Sequence, residues 1–177
     1  MFHGQKNFSK HFKNSQVFSY GGASLTGDKR LLKYIDAFTN SANENTLFIT
    51  QVGTNDLLDK KRTPQEIVSK YKEFLQALKN KSTSNQICVL GLLPVISESL
   101  KETAKRKDLN KLLHCMANEE NVLFLSTWNT FALDPNYKSL FNKKGLHLSD
   151  LGNSTLTNLL SNFIKNFPSI PANQFLR

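Results

Sequence analysis

Cysteine, proline and acidic side chains are scarce in this chain. Its two cysteines, Cys88 and Cys115, sit in apolar sequence surroundings. They are too few for a framework of bridges or a zinc signature, so the expectation is two buried thiols in a reducing compartment. Five prolines and eight glycines among 177 residues exclude a collagenous or low-complexity chain. Long apolar runs are missing as well. The most hydrophobic stretch, Ile87 to Ile96, is interrupted by Gly91 and Pro94 and falls far short of the roughly 20 residues that a membrane helix needs. No basic start followed by an apolar run occupies the first 20 residues, which makes a cytoplasmic protein the expectation rather than a secreted one. Acidic residues number 14 against 23 Lys and Arg, leaving +9. Such an excess suits a polyanionic partner.

What is present alternates. Short apolar runs rich in β-branched and aromatic residues recur at Val17 to Ser19, Leu47 to Val52, Ile87 to Leu92 and Val122 to Leu125. They read as buried parallel strands. Between them lie segments of helical period. The clearest begins at Thr63-Pro64-Gln65-Glu66, a capping box with proline at the first helical position, and places Ile67, Val68, Tyr71, Phe74, Leu75 and Leu78 on one face. Further helices are expected from Asp28 to about Asn40, from Ser99 to about Asn118 and from Ser149 to Asn166. With no repeat, low-complexity tract or linker, residues 1–177 read as one domain with a C-terminal tail at 167–177. Alternating strands and helices give an α/β fold, a three-layer α/β/α sandwich around a parallel sheet. In such sheets ligands bind beyond the carboxyl ends of the strands.

The loops at those ends contain Tyr20-Gly21-Gly22-Ala23, Val52-Gly53-Thr54-Asn55-Asp56, Leu93-Pro94 and Gly145-Leu146-His147-Leu148-Ser149-Asp150-Leu151-Gly152. In this order and spacing they resemble the blocks of the SGNH/GDSL hydrolase family, over nearly the whole chain. The resemblance implies a five-stranded sheet in flavodoxin-like order. It also implies a serine nucleophile in a Gly-Asp-Ser turn after the first strand, a glycine and an asparagine in the oxyanion hole, and an aspartate three residues before the catalytic histidine. Gly22, Asn55 and His147 fall on the glycine, asparagine and histidine positions. Two positions depart. The first block falls on Phe2 to Phe8, where Gly4 matches but Gln5 and Lys6 stand in place of the aspartate and the serine, and Lys144 stands in place of the orienting aspartate.

Hydroxyl attack needs an oxygen beside the imidazole, and the imidazole needs a carboxylate to fix its tautomer and stabilise its cation. Lys6 offers no hydroxyl. Lys144 would repel an imidazolium at His147. The expectation is a pseudo-hydrolase with no catalytic residue, cofactor or metal, in which Gly22, Asn55 and His147 form a vestigial pocket. Two other routes stay open. Ser9, Ser19 or Ser24 could supply a substitute nucleophile with Asp150 orienting His147, or Lys6 could act as a desolvated amine. Asp150 also reads simply as the negative charge at a helix start.

Four loop stretches at the strand ends carry +7 of the net +9. The cations expected to contact RNA are Lys6, Lys10, Lys13, Lys60, Lys61, Arg62, Lys105, Arg106, Lys107, Lys143 and Lys144. Lysine and arginine in such an array bind phosphate backbones with weak sequence dependence, and bases stack where aromatics such as Tyr20, Tyr137 or Phe8 are exposed. A degenerate SGNH-like domain of basic character is similar to the C-terminal OSK domain of the insect Oskar family. That resemblance implies binding of single-stranded mRNA in germ-plasm ribonucleoprotein assembly; a first strand beginning almost at Met1 gives the expectation of a domain excised from a longer protein. Esterase-like domains in the first reading frame of some retrotransposons share the Gly-Thr-Asn-Asp and Gly-Leu-His-Leu blocks. A third reading is a protein-interaction scaffold without nucleic-acid binding, docking through Phe167 to Leu176.

Overall fold

A computed structural model describes residues 11, 12, 15–27, 30–40, 42, 43, 46–59, 62–81 and 86–166. The first block expected at Phe2 to Phe8 and the tail at 167–177 lie outside the described residues. The chain divides into two units, one formed by Gly22–Pro94 with Glu98–Thr130, the other holding Val95–Ser97 and the chain from Phe131 onward.

In the first unit, a 3-10 turn at Leu31–Tyr34 leads into a short helix α1 (Ile35–Thr39), followed by β1 (Leu47–Thr50), α2 (Thr54–Leu58), α3 (Pro64–Lys81), β2 (Gln86–Leu90), α4 (Leu100–Glu119) and β3 (Leu123–Leu125). The strands are parallel in the order β1-β2-β3, with Phe48 opposite Ile87 and Val89 opposite Phe124. Parallel pairing demands crossover helices, and α3 and α4 supply them. Because β2 is central, Ile87 to Leu90 are all buried. Among the described residues the sheet has three strands. The run at Val17 to Ser19, expected as a buried strand, is irregular, with Val17 40% and Phe18 41% exposed.

Capping chemistry fixes the two crossover helices. The Thr63 N–H donates to Glu66 Oε2 at 2.7 Å, and the Glu66 N–H donates to Thr63 Oγ1 at 3.2 Å. These bonds hold the Glu66 carboxyl below its ordinary pKa, the Thr63 N–H first and its hydroxyl second. Ser99 and Glu102 repeat the reciprocal arrangement at the start of α4. α3 buries Ile67, Tyr71, Phe74, Leu75 and Leu78. Tyr71 keeps its hydroxyl satisfied by sharing a 2.8 Å hydrogen bond with Thr50 Oγ1 at the end of β1. At the exit of β2 the Gly91 carbonyl accepts from Gln51 Nε2 at 3.0 Å and from Thr127 Oγ1 at 2.7 Å. Asn110 of α4 reads both backbone groups of Leu92, accepting at 2.7 Å and donating at 3.0 Å. The strand ends are thus pinned from three sides.

Cys88 is buried, as expected, and desolvation pushes its thiol up to about 12. Cys115 is exposed on α4, against expectation, because the apolar stripe Leu109, Leu113, Met116 and Ala117 turns position 115 outward.

α5 (Trp128–Ala132) follows β3 and leaves the first unit at Thr130. The second unit continues with a 3-10 turn at Tyr137–Leu140 and ends its described part with α6 (Asp150–Lys165). Phe131 packs edge-on against Phe141 at 6.0 Å, and Phe141 bridges antiparallel to Leu148. Ser149 caps α6, accepting from the Gly152 N–H at 3.1 Å and donating to the Ser139 carbonyl at 2.6 Å. Gly152 is required there: a Cβ would stand 2.0 Å from the Leu140 carbonyl oxygen.

Candidate functional site

The first unit holds Gly22 and Asn55, and the structure ties their loops together. β1 ends in a left-handed turn at Gly53, φ +110°, which a side chain would strain. That turn starts α2 and puts Asn55 in its first helical turn. Asn55 is exposed and donates one amide hydrogen to the Ala23 carbonyl at 2.6 Å. Gly22, exposed at φ +71°, precedes that carbonyl in a second left-handed turn.

Asp56 completes the clasp. It is 1% exposed and accepts the Leu25 N–H at 3.1 and 3.0 Å, the Thr26 N–H at 3.0 Å and the Thr26 hydroxyl at 2.8 Å. A buried carboxylate is tolerated only with such donors. Asp56 belongs to the Val52 to Asp56 motif, but the motif alone assigns it no role. The signal available was the motif itself, an acid one residue after Asn55 at a helix start.

Arg106 was expected among the RNA contacts, and the structure corrects this. Its side chain is fully buried, and its Nε lies 3.0 and 2.9 Å from the two Glu98 carboxylate oxygens. A further Arg106 nitrogen bonds Glu98 Oε1, and Nη1 reaches Thr54 Oγ1 at 3.5 Å. The guanidinium therefore locks the start of α4 to α2 and presents nothing to a phosphate. Its neighbours point outward: Lys105 is half-buried and Lys107 exposed, with the Lys107 Nζ 5.6 Å from the Trp128 ring centroid. Arg62 is half-buried beside Asp59, at 3.6 Å. Lys6, Lys10, Lys13, Lys60 and Lys61 lie outside the described residues.

The second unit holds Lys143, Lys144 and His147 in one turn. The Asn142 N–H donates to the His147 carbonyl at 2.8 Å, and the Gly145 N–H donates to the Asn142 carbonyl at 2.8 Å. Lys143 and Lys144 are exposed at the tip, and the His147 side chain is half-buried. Gly145, φ +69°, lets the turn press on Ile96, whose Cβ would be 2.8 Å from an added methyl. Asp150 is exposed in the first turn of α6, where a negative charge suits the helix N-terminus. Of the substitute serines, Ser9 lies outside the described residues, Ser19 is half-buried in irregular chain, and the Ser24 hydroxyl donates to the Thr26 carbonyl.

A parallel sheet with crossover helices, with a Gly-Thr-Asn-Asp turn at the end of β1, defines an α/β domain. The chain belongs to the GDSL-like lipase/acylhydrolase family, whose model matches residues 4–154, and has the SGNH hydrolase-like fold. It is similar to a lipolytic protein of the G-D-S-L family from Veillonella parvula, at 14% identity and TM-score 0.73 over 90% of this chain and 86% of that one. The lipase/acylhydrolase from Enterococcus faecalis is similar at 16% identity and TM-score 0.65, over 81% and 71%. The esterase domain of the ORF1 protein from the zebrafish ZfL2-1 retrotransposon shares 27% identity over 66% of each chain, with TM-score 0.53. No curated protein matches the chain.

Proposed function

We propose that this chain is a GDSL-like domain that does not hydrolyse esters and binds RNA, single-stranded mRNA in particular, through its basic surface. Lys144 carries the reading. It is exposed three residues before His147, where a serine hydrolase needs a carboxylate to hold the imidazole tautomer and stabilise its charged form. A lysine there opposes the proton transfer that a nucleophile requires. Lys6, in register with the nucleophile, offers no hydroxyl. The net charge of +9 supports a phosphate partner, and of the expected cations Lys107, Lys143 and Lys144 are exposed and Lys105 half-buried. The setting is a cytoplasmic ribonucleoprotein assembly without a membrane. Its narrower form, germ plasm, rests on the likeness to the Oskar family's OSK domain alone.

A second reading is an active esterase using a substitute serine. The names of the structural relatives favour it, above all the 27% identical zebrafish esterase domain. Two assays on the same protein separate the readings: ultraviolet crosslinking to labelled RNA at physiological salt, and turnover of a short-chain nitrophenyl ester. A crosslink without turnover is expected. Turnover that disappears in His147→Ala makes the chain an esterase, and absence of both signals leaves the protein-interaction scaffold.

A further inference from the structure

The outer face of α4 carries more basic chemistry than the Lys105-Arg106-Lys107 run suggested. Lys101, Lys105 and Lys111 line one side of an open groove of about 520 Å³, whose apolar floor includes Pro64, Ala104 and Leu112. Lys101 and Lys105 are one helical turn apart, and Lys107 and Lys111 form a second such pair about 120° further round the helix, with Lys111 lining the groove. From Lys101 to Lys111 the two pairs span about 15 Å along the helix axis. Among the described residues neither Lys101 nor Lys105 pairs with a carboxylate. The groove's one acid, Asp108, lies 3.8 Å from Lys111 in an exposed contact that neutralises little. Trp128, half-buried, stands on the side of the second pair, its ring approached by the Lys107 ammonium. The buried Arg106 to Glu98 pair anchors the same helix from beneath, which fixes the spacing of the lysines.

We infer that this face is the path of a single nucleic-acid strand, with phosphates on Lys101, Lys105 and Lys111 and a base stacked on Trp128. The inference rests on the RNA-binding reading and names its site. Lysine heads around an apolar floor suit unpaired bases, because a base has a flat apolar face and a charged backbone. A duplex hides its bases and would leave Pro64, Ala104, Leu112 and Trp128 unused. An acidic peptide would meet the charges but not the aromatic ring. The neighbouring hollow under Leu58 shares Lys101 and Lys105 yet also holds Glu98 and Glu102, so phosphates are directed to the Pro64 side.

Trp128 is the only tryptophan in the sequence, and its fluorescence reports on this face without any substitution. The test titrates the full chain with a labelled oligouridylate of roughly ten nucleotides, within the span of single-strand sites, reading anisotropy and tryptophan emission together. Both signals should saturate at the same concentration. Lys101→Glu with Lys105→Glu and Lys111→Glu should weaken binding at least about tenfold and flatten the log-log salt slope by about 2, at 0.7 per lost phosphate contact. Trp128→Ala should weaken it about fivefold or more, and Trp128→Phe should restore part of the loss. Binding that leaves emission unchanged and survives the triple variant overturns this site while the RNA reading stands. No binding by the unaltered chain overturns both. Polyglutamate that displaces the RNA and moves Trp128 emission equally would make the face a site for acidic protein.

Discussion

Thr26 is held to Asp56 twice, by its backbone N–H at 3.0 Å and by its hydroxyl at 2.8 Å. The contact joins residues thirty apart and puts the Gly22 loop and the Asn55 turn in one hydrogen-bonded body. The acid of the Gly-Thr-Asn-Asp motif therefore has a structural task that survives whether or not the chain performs catalysis.

Replacing that acid tests the clasp. Asp56→Ala leaves the Leu25 and Thr26 amides buried without an acceptor, a loss of about 3 kcal/mol or more. Asp56→Asn keeps one acceptor oxygen and should cost about half as much. Urea unfolding of both variants measures this. Equal stability of Asp56→Ala and the unaltered chain would mean that water replaces the carboxylate without penalty.

Arg106 and Glu98 should behave as a coupled pair. Arg106→Met strands a carboxylate that is 6% exposed, at a cost of about 3–5 kcal/mol, whereas a double change with Glu98→Leu removes both charges and should recover most of it. A double-mutant cycle measured by urea unfolding reads the coupling. Additive losses would show that the two side chains act independently.

The same pair shows what the sequence could reveal. The crossover helix α3 was legible because its capping box and apolar periodicity are local, the extent of α4 was legible but its buried stripe was not, and the three described strands were legible as β-branched runs. Arg106 was read as a surface cation because Lys105 and Lys107 flank it. Yet it lies three residues before Leu109 and seven before Leu113, on the stripe that α4 buries. Cys115 was misplaced for the complementary reason: its apolar neighbours in sequence are not its neighbours on the helix face. The five-residue helices α2 and α5 are too short for a periodic signal. Val17 and Phe18 match a strand in composition, but composition does not supply a partner ladder.

Glycine positions separate steric need from backbone need. Gly152→Ala places a methyl 2.0 Å from a main-chain oxygen, so α6 or Leu140 must shift, and a loss above about 3 kcal/mol is expected. Gly27 has φ +72° with nothing within 4 Å of the added carbon, so Gly27→Ala should cost only the left-handed strain, about 1 kcal/mol. Thermal unfolding of the two variants checks the order. A milder effect at 152 than at 27 would place the Leu140 carbonyl elsewhere.

The two thiols should differ in access and in pH response. Cys115 is exposed and should react with a thiol reagent in the native protein, whereas Cys88 should react only after unfolding. Burial raises the Cys88 pKa from 9.0 to about 12, because the interior disfavours the thiolate. In the unfolded chain the same thiol ionises near its ordinary value. Below about pH 9 it is neutral in both states and adds no pH dependence. Above that it ionises only when unfolded, so stability falls as pH rises toward 12, by about 2 kcal/mol at roughly pH 10.5. Cys88→Ala should lower stability by a constant amount from the lost packing and remove that part of the alkaline slope. Urea unfolding at about pH 8 and 10.5, on both proteins, reads the difference between slopes. Parallel slopes would mean that the Cys88 thiolate is as well solvated folded as unfolded, which its place on the central strand excludes.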